Sequence, residues 1–330
     1  MHAIRIHSYG NSEVMQLEEL PLPIPGPEEV LVRVEAASVN FLDIQQRRGD
    51  LITQGFYKKE GGEFMDNLPV TLGQQGIGIV ERLGPDVNTV KAGDRVNFYG
   101  HSYATHALVP VKWLRPVPEA LTLEQAAGGL TQGFIAYQLT HLAYPVKMGD
   151  GCLVQAAAGG VGLLICQMAK LRGGKVIGVT STEQKAQAVY EAGADEVIIS
   201  TQADIARETR RLTDGRGVNV VYDGVGKDTF EASLDSLAPC GYLMIYGQSS
   251  GYIPPFDLML LQEKGSLFVS RNSAAFYVQE WPQYTKAFID WLQDGKLSIR
   301  IGQTYPLAEA AKAHAAVEQR QVSGRVLLFP

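Results

Sequence analysis

The pattern of apolar and polar positions changes character twice along the chain. Near the start the two alternate: Ile4 and Ile6 stand against Arg5 and His7, and within residues 30–36 Arg33 and Glu35 share one face. A period of two predicts half-buried strands. Residues 13–20 are a candidate partner for the first strand, and 76–82 and 93–98 read as two more, the last entered through Gly93 and Asp94. Pro21, Pro23, Pro25 and Pro27 mark an extended connector. Short strands between such signals predict a twisted, barrel-like β domain over residues 1–122.

From Leu123 the period lengthens. Residues 123–142 are helical in pattern, and β-branched runs then alternate with helical ones. Strands are predicted at 152–157, 175–180, 196–199, 218–223, 241–246 and about 266–270, with helices over 162–172, 183–192, 203–213 and 228–237. Six strands alternating with helices predict an α/β unit with a doubly wound parallel six-stranded sheet of Rossmann type. An amphipathic helix (281–292), an alanine-rich helix (307–319) and a last strand (325–329) follow, and are assigned back to the first domain. The expected domains are therefore 1–122, 123–265 and a return over 266–330. Segment 50–68 is polar and glycine-containing and reads as a loop, with Tyr57, Lys58 and Lys59 as candidates to line a substrate entrance.

Candidate chemistry concentrates between Cys152 and Lys185. A short apolar run meets Gly159, Gly160, Val161 and Gly162, an apolar helical run follows, and then a second β-branched run. This is a βαβ unit with a variant of the G-x-G-x-x-G turn, Ala157 taking the first glycine place. Small residues let the backbone approach a pyrophosphate, and the helix N-terminus turns amides toward that anion. At the end of the second strand stand Ser181 and, one turn on, Lys185, with no acid before Glu183. Hydroxyls and a lysine suit a 2′-phosphate better than free ribose hydroxyls, so the expected cofactor is NADP(H). Tyr246, Gly247, Gln248 and Ser249 follow the fifth strand, at the carboxyl edge where ligands of such sheets bind.

Composition narrows the classes. With 330 residues, net charge −6 and no basic stripe, nothing points to nucleic acid or an anionic membrane. Three unclustered cysteines and an N-terminus without an apolar core predict a cytoplasmic protein with neither disulfides nor a signal peptide.

Eight stretches then carry a resemblance: SVNFLDI (38–44), KAGDRV (91–96), EQAAG (124–128), QAAAGGVGLLICQMAK (155–170), VVYDGVG (220–226), YGQSSG (246–251), GSLFVSR (265–271) and SGRVLLFP (323–330). Together they resemble the medium-chain dehydrogenase/reductase superfamily, and within it the zinc-free quinone oxidoreductases of the zeta-crystallin-like group, over nearly the whole chain. The resemblance implies a GroES-like β-barrel domain, split in sequence by the nucleotide domain. It implies Asn40 and Asp43 as catalytic residues near nicotinamide and substrate. It also implies cofactor contacts from Phe41, Leu42, Gln132, Val269 and Arg271, and a 2′-phosphate contact from Arg320. Where the alcohol dehydrogenase branch has a zinc-binding cysteine and histidine, this chain has Asn40 and Gln74, neither a usual zinc ligand. No metal is expected. Ser200 stands where the family often has a tyrosine against the adenosine phosphate, Ile135 replaces a common threonine and Gln75 a common glutamate. The implied activity is NADPH-dependent reduction of a quinone. An enone or alkenal double-bond reductase is the alternative on the same scaffold, and an NADPH-binding structural or RNA-binding protein is the alternative of another class. Tyr57, Tyr99 and Tyr137 are proton-donor candidates by residue type only. The apolar strand 266–270 predicts a homodimer formed by edge pairing.

Overall fold

Strand β3 (Glu29–Val39) is the spine of the first unit. Its alternating half buries Val30, Val32 and Val34, and two register shifts against its neighbour bend it. The computed structural model describes residues 1–50 and 68–330, so the loop expected at 50–68, with Tyr57, Lys58 and Lys59, falls almost wholly outside the described residues. By contacts the chain divides into one compact unit made of Met1–Gly129 and Ile301–Pro330 and a second made of Leu130–Arg300.

In the first unit, β3 pairs antiparallel with β5 (Gln75–Leu83), β7 (His106–Pro110) and β16 (Arg325–Phe329). With β6 (Arg95–Tyr99), β8 (Leu114–Pro116) and β15 (Ile301–Pro306) they form a seven-stranded sheet, ordered β15-β16-β3-β5-β6-β8 with β7 beside β3. A small sheet joins β1 (His2–Ile6), β2 (Met15–Glu19) and β4 (Val70–Thr71). Residues 13–20 thus supply the expected partner of the first strand, in register Ile4 to Leu17. One core gathers Val30, Val32, Val80, Val96, Phe98 and Leu114. A second gathers Ile6, Val39, Leu72, Tyr103 and Leu328 beneath the helix Ala310–Glu318.

In the second unit, β9 (Gly151–Val154), β10 (Lys175–Thr180), β11 (Glu196–Ile199), β12 (Val218–Asp223), β13 (Leu237–Ile245) and β14 (Phe268–Arg271) form one sheet in the order β11-β10-β9-β12-β13-β14, every pair parallel. Strand β9 ends at Val154, earlier than expected, because residues 155–158 already turn. The order reverses between β9 and β12, which makes the end of β9 a topological switch point.

The division at 129/130 and 300/301 differs from the expected boundaries at 122/123 and 265/266. Strand β14 is hydrogen-bonded to β13, and the helix Trp281–Gln293 packs aromatic faces on the helix Thr131–Tyr137. Phe134 meets Trp281 at 5.0 Å and Tyr284 at 5.3 Å between ring centroids, and the Tyr284 hydroxyl donates to the Leu130 carbonyl at 2.7 Å. An amphipathic pattern records that a helix has a partner, not which partner.

Candidate active site

The glycine turn is built by crowding. Gly159 N-caps the helix Gly160–Leu171, and the turn before it is tied to both neighbouring strands, Gln155 N–H to the Tyr222 carbonyl and Ala157 N–H to the Val179 carbonyl, both at 2.9 Å. Ala156 takes φ +50°, a left-handed conformation costly for a residue with a Cβ. A Cβ on Gly162 would stand 2.5 Å from the Ala156 oxygen and 2.8 Å from the Ala157 Cα, so only glycine lets the helix seat this close to the turn. The first amides of the helix, those of Gly160, Val161 and Gly162, have no carbonyl one turn earlier in the helix to bond. Their dipoles sum to partial positive charge at the switch point, which fits a pyrophosphate.

Ser181, Lys185 and Tyr246–Ser249 follow the carboxyl ends of their strands, on the same edge of the sheet. Ser181 follows β10, and Lys185 lies in the first turn of the helix Glu183–Glu191 with its Nζ 3.4 Å from the Ser181 hydroxyl. Tyr246, Gly247, Gln248 and Ser249 follow β13, and backbone hydrogen bonds fasten them to the end of β12: Tyr246 N–H to Asp223 O at 2.9 Å and Ser249 N–H to Gly224 O at 3.2 Å. The Tyr246 ring lies over Gly224, where a Cβ would meet it at 2.7 Å. Asp223 fixes this corner, its carboxylate accepting from the Val225 and Gly226 amides and the Thr229 and Ser233 hydroxyls. Val269 and Arg271 lie in β14, and the Arg271 guanidinium donates to the carbonyls of Ile245 and Asn272. Gln132 is buried in the helix Thr131–Tyr137. Arg320 belongs to the first unit, exposed just past the helix Ala310–Glu318 in a left-handed conformation (φ +54°).

Asn40, Phe41, Leu42 and Asp43 open the helix Phe41–Arg48 of the first unit. Its sequence is polar on nearly every side, yet Asp43, Ile44, Gln45, Gln46 and Arg47 are buried. Such burial requires every polar group to be answered. The Asp43 carboxylate accepts from the Asn40 amide at 2.7 Å, from the Gln74 amide at 2.7 Å and from the Tyr103 hydroxyl at 3.2 Å. Arg47 donates to Glu318 through both terminal nitrogens, at 3.0 and 2.6 Å, and to His314 Nδ1 at 3.2 Å. An arginine has no acceptor, so His314 carries its proton on Nε2 and donates it to the Tyr103 hydroxyl at 3.0 Å. The chain of bonds therefore runs one way, from Arg47 through His314 and Tyr103 to Asp43. Burial pushes the Asp43 carboxyl up to about 7, against the pull of its three donors and of the Arg325 charge. Burial, then the Arg47 charge, pushes His314 down to about 3.

Asp43 is thus a capping and network residue, buried beneath the helix start. Asn40 differs. Its Oδ1 accepts from Arg325 Nη2 at 3.0 Å, and its Nδ2 donates to the Ser38 carbonyl at 3.3 Å. Sequence reasoning missed Tyr103, His314, Arg47, Glu318 and Arg325. The available signal was a charged residue, Arg325, opening an otherwise apolar final strand. Of the tyrosines picked by type, Tyr99 packs edge-on to Trp113 and Tyr137 stacks on His141, both in structural aromatic contacts.

These residues do not suit zinc. At the two positions that the resemblance sets against zinc ligands, Asn40 faces a guanidinium and the Gln74 side-chain amide donates to Gln46 at 2.7 Å. Among the described residues no three His, Cys, Asp or Glu side chains gather as metal ligands. His101 bonds the Thr71 carbonyl and His106 pairs with Glu81, so they do not form a site together.

Two family models match the chain: the alcohol dehydrogenase GroES-like domain over residues 26–119, and the zinc-binding dehydrogenase domain over 160–292. A quinone oxidoreductase of Pseudomonas aeruginosa is 37% identical over 335 residues, covering 99% of each chain. The chain belongs to the zinc-free quinone oxidoreductases of the medium-chain dehydrogenase/reductase superfamily. Other members of the family are as similar. The 2-haloacrylate reductase of a Burkholderia species is 36% identical over 98% of each chain. The crystal structure of Escherichia coli quinone oxidoreductase complexed with NADPH is 35% identical, covers both chains completely and superposes with a TM-score of 0.91. The family's two-part architecture, a GroES-like domain and a Rossmann-like parallel sheet, is the one described above.

Proposed function

We infer that this chain is an NADPH-dependent quinone oxidoreductase that works without a metal. The observation that carries the reading is the glycine turn at the switch point, where a helix begins, in a chain alike over its full length to quinone oxidoreductases. NADPH, when bound, supplies the hydride. The chain supplies the rest. Gly160, Val161 and Gly162 receive the pyrophosphate, Ser181, Lys185 and Arg320 the 2′-phosphate, and Tyr246–Ser249, Val269 and Arg271 the nicotinamide half. Phe41, Leu42 and Gln132 complete the cofactor contacts. Asn40 faces the acceptor, and Asp43 holds the start of its helix. Reduction is balanced by one proton from water: a hydride bonds to the quinone, an electron pair moves onto its oxygen, and that oxygen is then protonated. Positioning and electrostatics are the protein's share of such chemistry.

The likeness to 2-haloacrylate reductase favours a second acceptor class, an alkene activated by a carbonyl group. Turnover of 1,4-naphthoquinone against a small enone, with NADPH and with NADH, separates the two. Faster quinone turnover with NADPH is expected. Turnover of the enone alone would move the chain to the second class, and binding of neither nucleotide would refute both. A cytoplasmic location is proposed from the three free cysteines, and among the described residues no helix is long and apolar enough to cross a membrane. A homodimer through the outer edge of β14 is proposed from its position at the sheet edge, with Phe268 half exposed.

A further inference from the structure

Arg325 is a buried cation whose donors are not all used. The residue is 7% exposed, its Nη2 donates to Asn40 Oδ1 at 3.0 Å, and its Nε is buried with no hydrogen-bond partner. Among the described residues it forms no ion pair. A buried guanidinium without a carboxylate is costly, and proteins keep one where a negative charge appears or where its field is used. The pull of burial brings its pKa to about 10, so it is still charged at neutral pH. Its one directed contact is to the oxygen of an amide. The nitrogen of that amide is steadied from the other side by the Ser38 carbonyl, and the Ser38 hydroxyl is itself anchored on the Ala127 carbonyl at 2.5 Å.

We propose that Arg325 is a positioning residue for the reduction, acting through Asn40. Its guanidinium fixes the amide oxygen and draws electron density toward it, so that the amide nitrogen becomes a stronger donor to the acceptor oxygen that gains charge as the hydride arrives. This rests on the reading that Asn40 faces the acceptor. Hydrogen-bond chains polarise along their length, and the effect is larger where water is excluded. Asp43 is near enough for each charge to act on the other, yet it is occupied by three donors of its own. The charge felt at Asn40 is therefore Arg325's.

The test uses the full chain with saturating NADPH and 1,4-naphthoquinone, on Arg325→Lys, Arg325→Gln, Arg325→Met, Asn40→Ala and the double variant Arg325→Met/Asn40→Ala. The expected order of kcat is Lys above Gln above Met, with Arg325→Met down about tenfold to a hundredfold, the range of a charge-assisted hydrogen bond. The affinity for NADPH stays within about twofold, and the deuterium isotope effect with C4-deuterated NADPH rises as hydride transfer becomes limiting. If Arg325 acts through Asn40, the double variant is no slower than the slower single variant. Losses that multiply, or equal kcat for Lys, Gln and Met, would overturn the proposal, as would a loss of NADPH affinity matching the loss of rate. Should Arg325→Met fail to fold, the Gln variant still decides, because its amide keeps a donor without the charge. Failure of the wild-type chain to reduce any quinone is a different result, which refutes the assigned activity and not the coupling.

Discussion

Replacing His314 by glutamine isolates one half of a balance hidden in the first unit. Folded Asp43 holds its proton to about pH 7, against 3.8 ordinarily. The folded state therefore binds more protons than the unfolded one, and this group loses stability as pH rises from about 4 to 7. His314 does the opposite. Folded, it is pushed down to about 3 against 6.5 ordinarily, so the folded state binds fewer protons and stability rises over that window. Each slope is about 1.4 kcal/mol per pH unit, and between about pH 4 and 6.5 they nearly cancel. Glutamine keeps an acceptor for Arg47 and a donor for Tyr103 but does not titrate. In His314→Gln the Asp43 slope stands alone, so stability relative to wild type falls by about 2 kcal/mol between pH 4.5 and 6.5. Urea unfolding at three pH values, followed by circular dichroism with the m-value held as a check, reads this directly. Asp43→Asn should tilt the curve the other way. If the slope of His314→Gln matches wild type within about 0.3 kcal/mol per pH unit, the two groups are not the opposed pair described here.

Four further outcomes follow from the same geometry. Gly162→Ala drives a Cβ into the Ala156 oxygen, and should lower NADPH affinity at least about tenfold and stability by about 1–3 kcal/mol, read by fluorescence titration and urea unfolding. Lys185→Ala should erase most of a roughly tenfold or greater preference for NADPH over NADH in the same titration; unchanged preference would remove Lys185 from the phosphate site. Glu318→Ala leaves Arg47 buried without its carboxylate and should cost about 3–5 kcal/mol, while Arg47→Met/Glu318→Ala should recover much of it. Phe268→Asp places a charge on the exposed edge of β14 and should convert the proposed dimer to a monomer by light scattering; a wild-type monomer at micromolar concentration would refute the interface.

The nucleotide half was legible because its signals are local. Glycines at 159, 160 and 162, a β-branched run on each side and a helical period between them all lie within 35 residues, and each is a steric or periodic requirement of the turn itself. The polar network was not legible. Arg47 meets His314 and Glu318 across 267 and 271 positions of sequence, and nothing near Arg47 distinguishes it from the partly exposed Arg48 beside it, which also pairs with Glu318. Periodicity placed the helix at 281–292 but could not name its partner, so the unit boundary moved from 265 to 300. The motif SVNFLDI singles out Asp43, but not the three donors that converge on it.

The one-way chain from Arg47 to Asp43 also constrains how this protein can change over time. Each member answers a polar group of the next, so a replacement that cannot hydrogen-bond at any of the five positions leaves an orphan inside. Substitutions at 43, 47, 103, 314 and 318 are therefore expected to arrive as sets, through intermediates that fold poorly. Positions so far apart in the chain would then vary together as though they were neighbours, and their joint inheritance would trace the interior of the fold.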